Sequence, residues 1–119
     1  MEGQTVSQQA NAIFTITVKA AAAIAAQTFV SPAAGVAAAG GNALGVAKTD
    51  AAVGDALAVD VLGTAVVVAG AAIPAGSAVE ADASGRAVPQ NAGKTLARLK
   101  PSQSAAALGD LVEVILIPN

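Results

Sequence analysis

The sequence has no cysteine, no histidine, no tryptophan and no tyrosine, and only 2 phenylalanines among 119 residues. Without cysteine there are no disulfides, no thiolate metal sites and no thiol nucleophile. The same absence leaves the redox compartment undecided. Without histidine the usual proton shuttle near neutral pH is missing. Ser7, Ser31, Ser77, Ser84, Ser102 and Ser104 therefore have no imidazole to activate them. Without tryptophan or tyrosine, an aromatic platform for stacking sugars is nearly excluded. Charge is also scarce, at 12% of residues with a formal net of -2, and forms no basic patch. Nucleic acid is not an expected partner.

Long apolar runs are missing too. No uninterrupted stretch reaches the ~18 residues that a membrane span needs. Ala20–Ala26 (AAAAIAA) has the look of a signal-peptide core, but Glu2 stands where a basic start belongs and a polar, β-like stretch precedes it. No signal peptide is expected.

What is present is aliphatic. The hydrophobic fraction is 55%, and alanine and valine make up much of it. One domain is expected at this length, with a thin core, because each alanine buries little more than a methyl group. Part of the stability is therefore expected to come from assembly with other chains.

The organising stretch is Leu44–Val61 (LGVAKTDAAVGDALAVDV). Leu57, Val59 and Val61 alternate with Ala58, Asp60 and Leu62, which places one set on a single sheet face. Gly54–Asp55 is a turn signal, so the stretch reads strand, turn, strand. Ala12–Val18 (AIFTITV) is the clearest strand, with Phe14 as expected core anchor on the face of Ile16 and Val18. Lys19–Ala26 reads as a loop or short helix, Gln27–Ser31 as strand and Pro32–Asn42 as a connection. Gly63–Thr64 predicts a tight hairpin joining Leu57–Leu62 to Ala65–Val68. Val79–Ala81, Arg86–Pro89, Thr95–Lys100 and Leu111–Ile117 follow as short strands between turns. Val53–Gly54–Asp55 and Leu108–Gly109–Asp110 each precede an alternating strand, and Ala75–Gly76–Ser77 is a weaker copy. Such turns bound many β-strands, and the irregular period does not indicate a solenoid.

No group points to a reaction. Asp50 and Asp55 lack the dense oxygen ligands of a calcium loop. Asp60 and Glu113 fall on the off-face of their strands, where a charge is usually solvated. Glu80, Asp82 and Asp110 show no paired acid–base arrangement. Lys94 follows Gly93, but no phosphate-binding loop precedes it. Lys48 sits in a turn, yet GVAKTD does not match the motif of lipoyl or biotinyl carriers, so it reads as a solvated turn lysine. No catalytic residue, cofactor site or metal site is expected.

The string from Gly41 to Val88 resembles the capsid cement, or head-decoration, family of tailed bacteriophages. The matching features are LGVA-x-TDA-x-x-GD before an alternating strand, AIPAGS-x-V before a D-x-SG-R turn, and the closing GDLVEVIL. The resemblance spans residues 12–119 and leaves the N-terminal arm uncovered. It implies an all-β barrel or sandwich of short strands, the β-clip among the forms in view, as one domain over residues 12–119 preceded by an arm over residues 1–11. It also implies a non-enzymatic virion protein without cofactors, on the outer surface of an icosahedral head. There it would bind the major capsid protein, with a homotrimer favoured over a dimer, and cement adjacent subunits after shell expansion. Neither nucleic acid nor membrane is an implied partner. Glu2, Gln4, Thr5, Val6, Ser7, Gln8 and Gln9 of the polar arm are the candidate capsid contacts; the competing reading is a frayed end. The alternative function is a surface or secreted β-rich structural or adhesion domain, which would normally carry a signal peptide.

Overall fold

Strand β4 (Ala56–Val68) is the longest element of the computed structural model, which describes residues 11–117. Thirteen residues at ~3.3 Å each extend about 40 Å, close to the 44 Å long dimension of the molecule. Around it run β1 (Ala12–Lys19), β2 (Phe29–Val30), β3 (Gly45–Ala47), β5 (Ala78–Ala81), β6 (Ala87–Pro89), β7 (Ala97–Leu99) and β8 (Leu111–Leu116). There is no helix among the described residues. One sheet runs β2-β3-β4-β8-β7-β5-β6, with β1 added to β4, and every strand pair is antiparallel. Beyond β6, a bridge between Ala87 and Ala69 returns the sheet to the end of β4. The result is a nearly closed barrel.

The first half of β4 pairs with β1 on one edge and β3 on the other, and its second half pairs with β8. This overturns the hairpin expected at Gly63–Thr64. Leu57–Val61 already has a strand on each side, so Ala65–Val68 has no free edge to fold back upon and runs straight on. Gly63 (φ +98°) serves a close approach instead: a side chain there would come within 2.7 Å of the Ile13 amide nitrogen. The β1 register slips opposite this point, between Ala12 and Thr15. That slip takes Phe14 off the buried face, so it is 54% exposed rather than a core anchor, while Phe29 is the aromatic in the core. Lys19–Ala26 is not helical. Ile24 instead bridges Ala51, and both are buried, so tertiary packing overrides alanine's helix propensity.

The turn echo in the sequence is the trace of a repeated unit. Val18↔Leu57 and Lys19↔Ala56 correspond to Val67↔Val112 and Val68↔Leu111. The β2–β3 and β3–β4 pairings correspond to β5–β7 and β7–β8. Key connections match as well. The Ala20 amide donates to the Asp55 carbonyl and the Ala20 carbonyl accepts from the Gly54 amide, as Ala69 does with Asp110 and Gly109. Ile24 and Ala51 exchange two backbone bonds, as do Ile73 and Ala105. The counterpart of Gly76 (φ +73°) is therefore Gln27 (φ +63°), and Ala75–Gly76–Ser77 is not a third copy of the Gly-Asp turn. The first repeat runs from β1 into β4, and the second from β4 to β8, so the two share one strand.

Each repeat has its own core. Ala20, Ile24, Val30, Ala47, Ala51, Leu57 and Val59 form the first. Their counterparts Ala69, Ile73, Val79, Leu99, Ala105, Val112 and Val114 all lie in the second. The second core also takes in Phe29, Ala37 and Val46 from the first repeat.

Candidate functional site

The arm residues Glu2, Gln4, Thr5, Val6, Ser7, Gln8 and Gln9 lie outside the described residues. The point where the arm meets the domain is fixed. The Asn11 amide donates to Thr64 Oγ1 at 2.9 Å, and the Thr64 amide donates to the Asn11 carbonyl at 3.3 Å. Exposed apolar side chains gather around this junction. Ile13 is 81% exposed, Phe14 pairs in register with the exposed Leu62, and Thr64 lies opposite the exposed Ile115. Isolated exposed apolar residues are ordinary, but a cluster beside an arm root is the usual mark of a contact surface. β1 adds to this, because no strand pairs with its outer edge among the described residues.

The two Gly-Asp turns hold a second pair of exposed apolar residues. Val53 is 68% and Leu108 60% exposed at corresponding positions. Each turn is held by its aspartate: Asp55 Oδ2 accepts from the Ala52 amide at 2.9 Å, and Asp110 Oδ2 from the Ala106 amide at 2.8 Å. The sequence carried this signal as an apolar residue directly before Gly-Asp, repeated once.

The remaining carboxylates are committed to structure. Asp50 Oδ1 accepts from the Ala26 amide at 2.7 Å. Asp82 accepts from the Ser84 and Arg86 amides and from Arg86 Nε, each at 2.9 Å. Glu80 Oε1 accepts from the Asn91 and Gly93 amides at 2.7 and 2.9 Å. Asp60 and Glu113, expected to be solvated, are instead 2% and 1% exposed. Asp60 accepts from Thr15 Oγ1 of β1 at 2.7 Å and from Lys48 Nζ, just past β3, at 3.2 Å. Glu113 receives Lys100 Nζ at 3.3 Å, and its amide donates to Gln103 Oε1 at 3.1 Å. Lys48 is thus a partner in a half-buried ion pair and not simply a solvated turn lysine. Both faces of the sheet are covered here, so an off-face acid must be paired to be tolerated. Lys48 and Lys100 occupy corresponding places after β3 and β7, and that recurrence was the available sequence signal. Among the described residues, no three acidic side chains gather as a metal site.

An apolar groove of about 350 Å³ lies where the repeats meet. Its walls are matched pairs: Leu44 with Leu96, Val61 with Leu116, and Leu62 with Ile117. It contains no charged group, so it offers a surface for packing and no apparatus for chemistry.

Comparison with known proteins agrees with this picture. No curated protein matches the chain. The crystal structure of the N base of head fiber gp8.5 in bacteriophage phi29 is similar in fold. It superposes with a TM-score of 0.69 at 21% identity, over 87% of this chain and 93% of that one. A family model described as phage cement protein matches residues 7–116, so the match extends into the arm beyond the resemblance noted from Ala12 onward. The chain belongs to the phage cement protein family and is a capsid-associated structural protein of the virion.

Proposed function

We propose that this protein binds the outer surface of the icosahedral phage head and cements adjacent major capsid protein subunits. The family match over residues 7–116 carries the reading. The apolar residues around Asn11 and Thr64, and the rigid tips at Val53 and Leu108, supply the contacts. Nothing in the mechanism requires a reaction. One cement assembly touching several capsid subunits raises the effective concentration of each further contact, so parting the subunits requires losing many weak contacts together. The arm, residues 1–11, adds a strand to an edge of the capsid protein. That mode uses backbone hydrogen bonds and explains why the arm is polar and nearly featureless.

Cryo-electron microscopy of purified heads tests this. Density for the protein over the junctions between capsid subunits, at local threefold or twofold axes, is the expected result, and its absence from heads would overturn the reading. Heads assembled with protein lacking residues 1–11 should show reduced occupancy while the domain stays folded by circular dichroism. Unchanged occupancy would remove the arm from the mechanism.

A further inference from the structure

We propose that an open slot on the edge of β4, at Val66, takes the inner end of this chain's own arm, with Gln9 paired to Val66. Alternation along β4 defines the slot. The Ala69 amide donates to the Asp110 carbonyl at 2.7 Å, so Ala69, Val67 and Ala65 turn their backbone groups toward β8. Thr64, Val66 and Val68 turn theirs to the opposite edge. Two of these three are engaged there. The Thr64 amide donates to the Asn11 carbonyl at 3.3 Å, and the Val68 amide to the Gln27 carbonyl at 2.8 Å. Val66, between them, has no backbone partner on that edge among the described residues. An unpaired amide and carbonyl on a half-buried strand residue are costly to leave open. A cavity of about 260 Å³ lies at the same place, with Gln27, Lys48, Asp60 and Val66 among its walls.

The point where β1 leaves β4 selects the occupant. β1 runs antiparallel to β4, and Asn11 lies opposite Thr64. An extended continuation of β1 passes along this same edge toward Val66. Bonded pairs in an antiparallel ladder recur at every second residue, so the pair after Asn11–Thr64 is Gln9–Val66. The next, Ser7–Val68, is barred because the Val68 amide already donates to Gln27. The slot is therefore one bonded pair long. It takes Gln9 with its neighbours Gln8 and Ala10, and the chain must leave the sheet beyond them. A second observation sets the same boundary: the family match begins at residue 7, so residues 7–10 go with the matched domain and residues 1–6 do not.

The chemistry of the cavity suits this residue. Directly paired residues keep their side chains on one face, which sets Gln9 beside Val66. Lys48 Nζ and Asp60 Oδ2, 3.2 Å apart, stand in the cavity wall. A neutral amide offers such a pair donors and an acceptor without adding a charge. The slot divides the arm: residues 7–10 fix its root and direction, and residues 1–6 remain to reach a capsid protein. That division rests on the function proposed above, whereas the slot itself does not.

Amide exchange followed by nuclear magnetic resonance, on the protein alone, tests the slot. In the full chain the Val66 amide should exchange at least about tenfold more slowly than in protein lacking residues 1–10, at every protein concentration. Protein lacking residues 1–6 should keep that protection. Gln9→Pro, which removes the donor to the Val66 carbonyl at unchanged length, should lose it with circular dichroism unchanged. Should protein lacking residues 1–10 fail to fold, Gln9→Pro takes its place. Equal exchange with and without residues 1–10 would overturn the proposal. So would protection that grows with protein concentration, because another copy's arm would then fill the slot. No heads enter the measurement, so failure of the slot leaves capsid binding standing, and failure of capsid binding leaves the slot standing.

Discussion

Gly45→Ala separates two ways of reasoning about this fold. By correspondence between repeats the change is harmless, because Ala97 occupies the equivalent position in β7 and is fully buried there. By contact it is severe. A Cβ on Gly45 would overlap the Asp60 carbonyl oxygen, and would lie 2.9 Å from that carbonyl carbon and 3.0 Å from Val59 Cγ1. The obstacle is mostly backbone of the central strand, which cannot rotate away. β3 would have to retreat from β4, weakening the pairings Val46↔Asp60 and Ala47↔Val59 and the bond from the Lys48 amide to the Ala58 carbonyl. Losing two such bonds costs about 2 kcal/mol, and overpacking adds about 1–2 kcal/mol more. At ~3–5 °C per kcal/mol for a domain of this size, the melting temperature should fall by about 10–15 °C. Gly76→Ala is the control: its Cβ meets nothing within 4 Å, so only its positive φ matters, at about 1–2 kcal/mol. Thermal melts of both variants followed by circular dichroism decide the matter. If Gly45→Ala melts within a few degrees of wild type, correspondence outweighs contact and the reasoning fails.

Asp60→Ala removes the acceptor shared by Thr15 and Lys48, but both donors reach solvent, so the expected loss in chemical denaturation is about 2 kcal/mol rather than the larger penalty of a stranded buried charge. Gln27→Gly should raise stability by up to ~1 kcal/mol, since a left-handed glutamine is relieved, and Gly76→Gln should still fold because Gln27 shows that the turn accepts a side chain. Calorimetry should give one transition with equal calorimetric and van't Hoff enthalpies, because β4 belongs to both repeats and Phe29, Ala37 and Val46 bury themselves in the second core.

Much of the strand pattern was legible because β-branched residues alternate and turns are marked by Gly, Asp and Pro. Ala12–Val18 and Leu111–Ile117 became strands close to their expected bounds, and Leu57–Val61 became the first part of the longer β4. The failures share a cause. Gly63–Thr64 has the composition of a hairpin, but the edges of β4 are occupied by β1 and β3, which lie far away in sequence. Phe14 lies on the right side by parity until a bulge opposite Gly63 shifts the register. Asp60 and Glu113 read as surface charges because alternation reveals one covered face, not whether the other is covered too. The repeat stayed hidden for a different reason. Its copies differ in loop length and share one strand, and alanine–valine stretches match one another in almost any alignment. Of the candidate surface, the Gly-Asp tips were visible as a motif, while the patch around Ile13 and Phe14 exists only through the register slip.

The alanine content follows from the same architecture. Ala20, Ala47 and Ala51 in the first core, and Ala65, Ala69, Ala87 and Ala105 in the second, let connecting segments lie flat against the strands and exchange backbone bonds with them. Larger residues there would push these segments outward and break reciprocal pairs such as Ile24–Ala51. Such a core is rich in backbone hydrogen bonds and poor in buried area. Its deficit is greatest in the first repeat, whose Ile16, Val18, Val36, Leu44 and Val61 remain partly open. Covering that face would add apolar burial where the isolated chain has least, at ~25 cal/mol per Å² removed from water. A fold of this kind gains stability on assembly with little rearrangement, because the strands that meet a partner are already held by their own pairing.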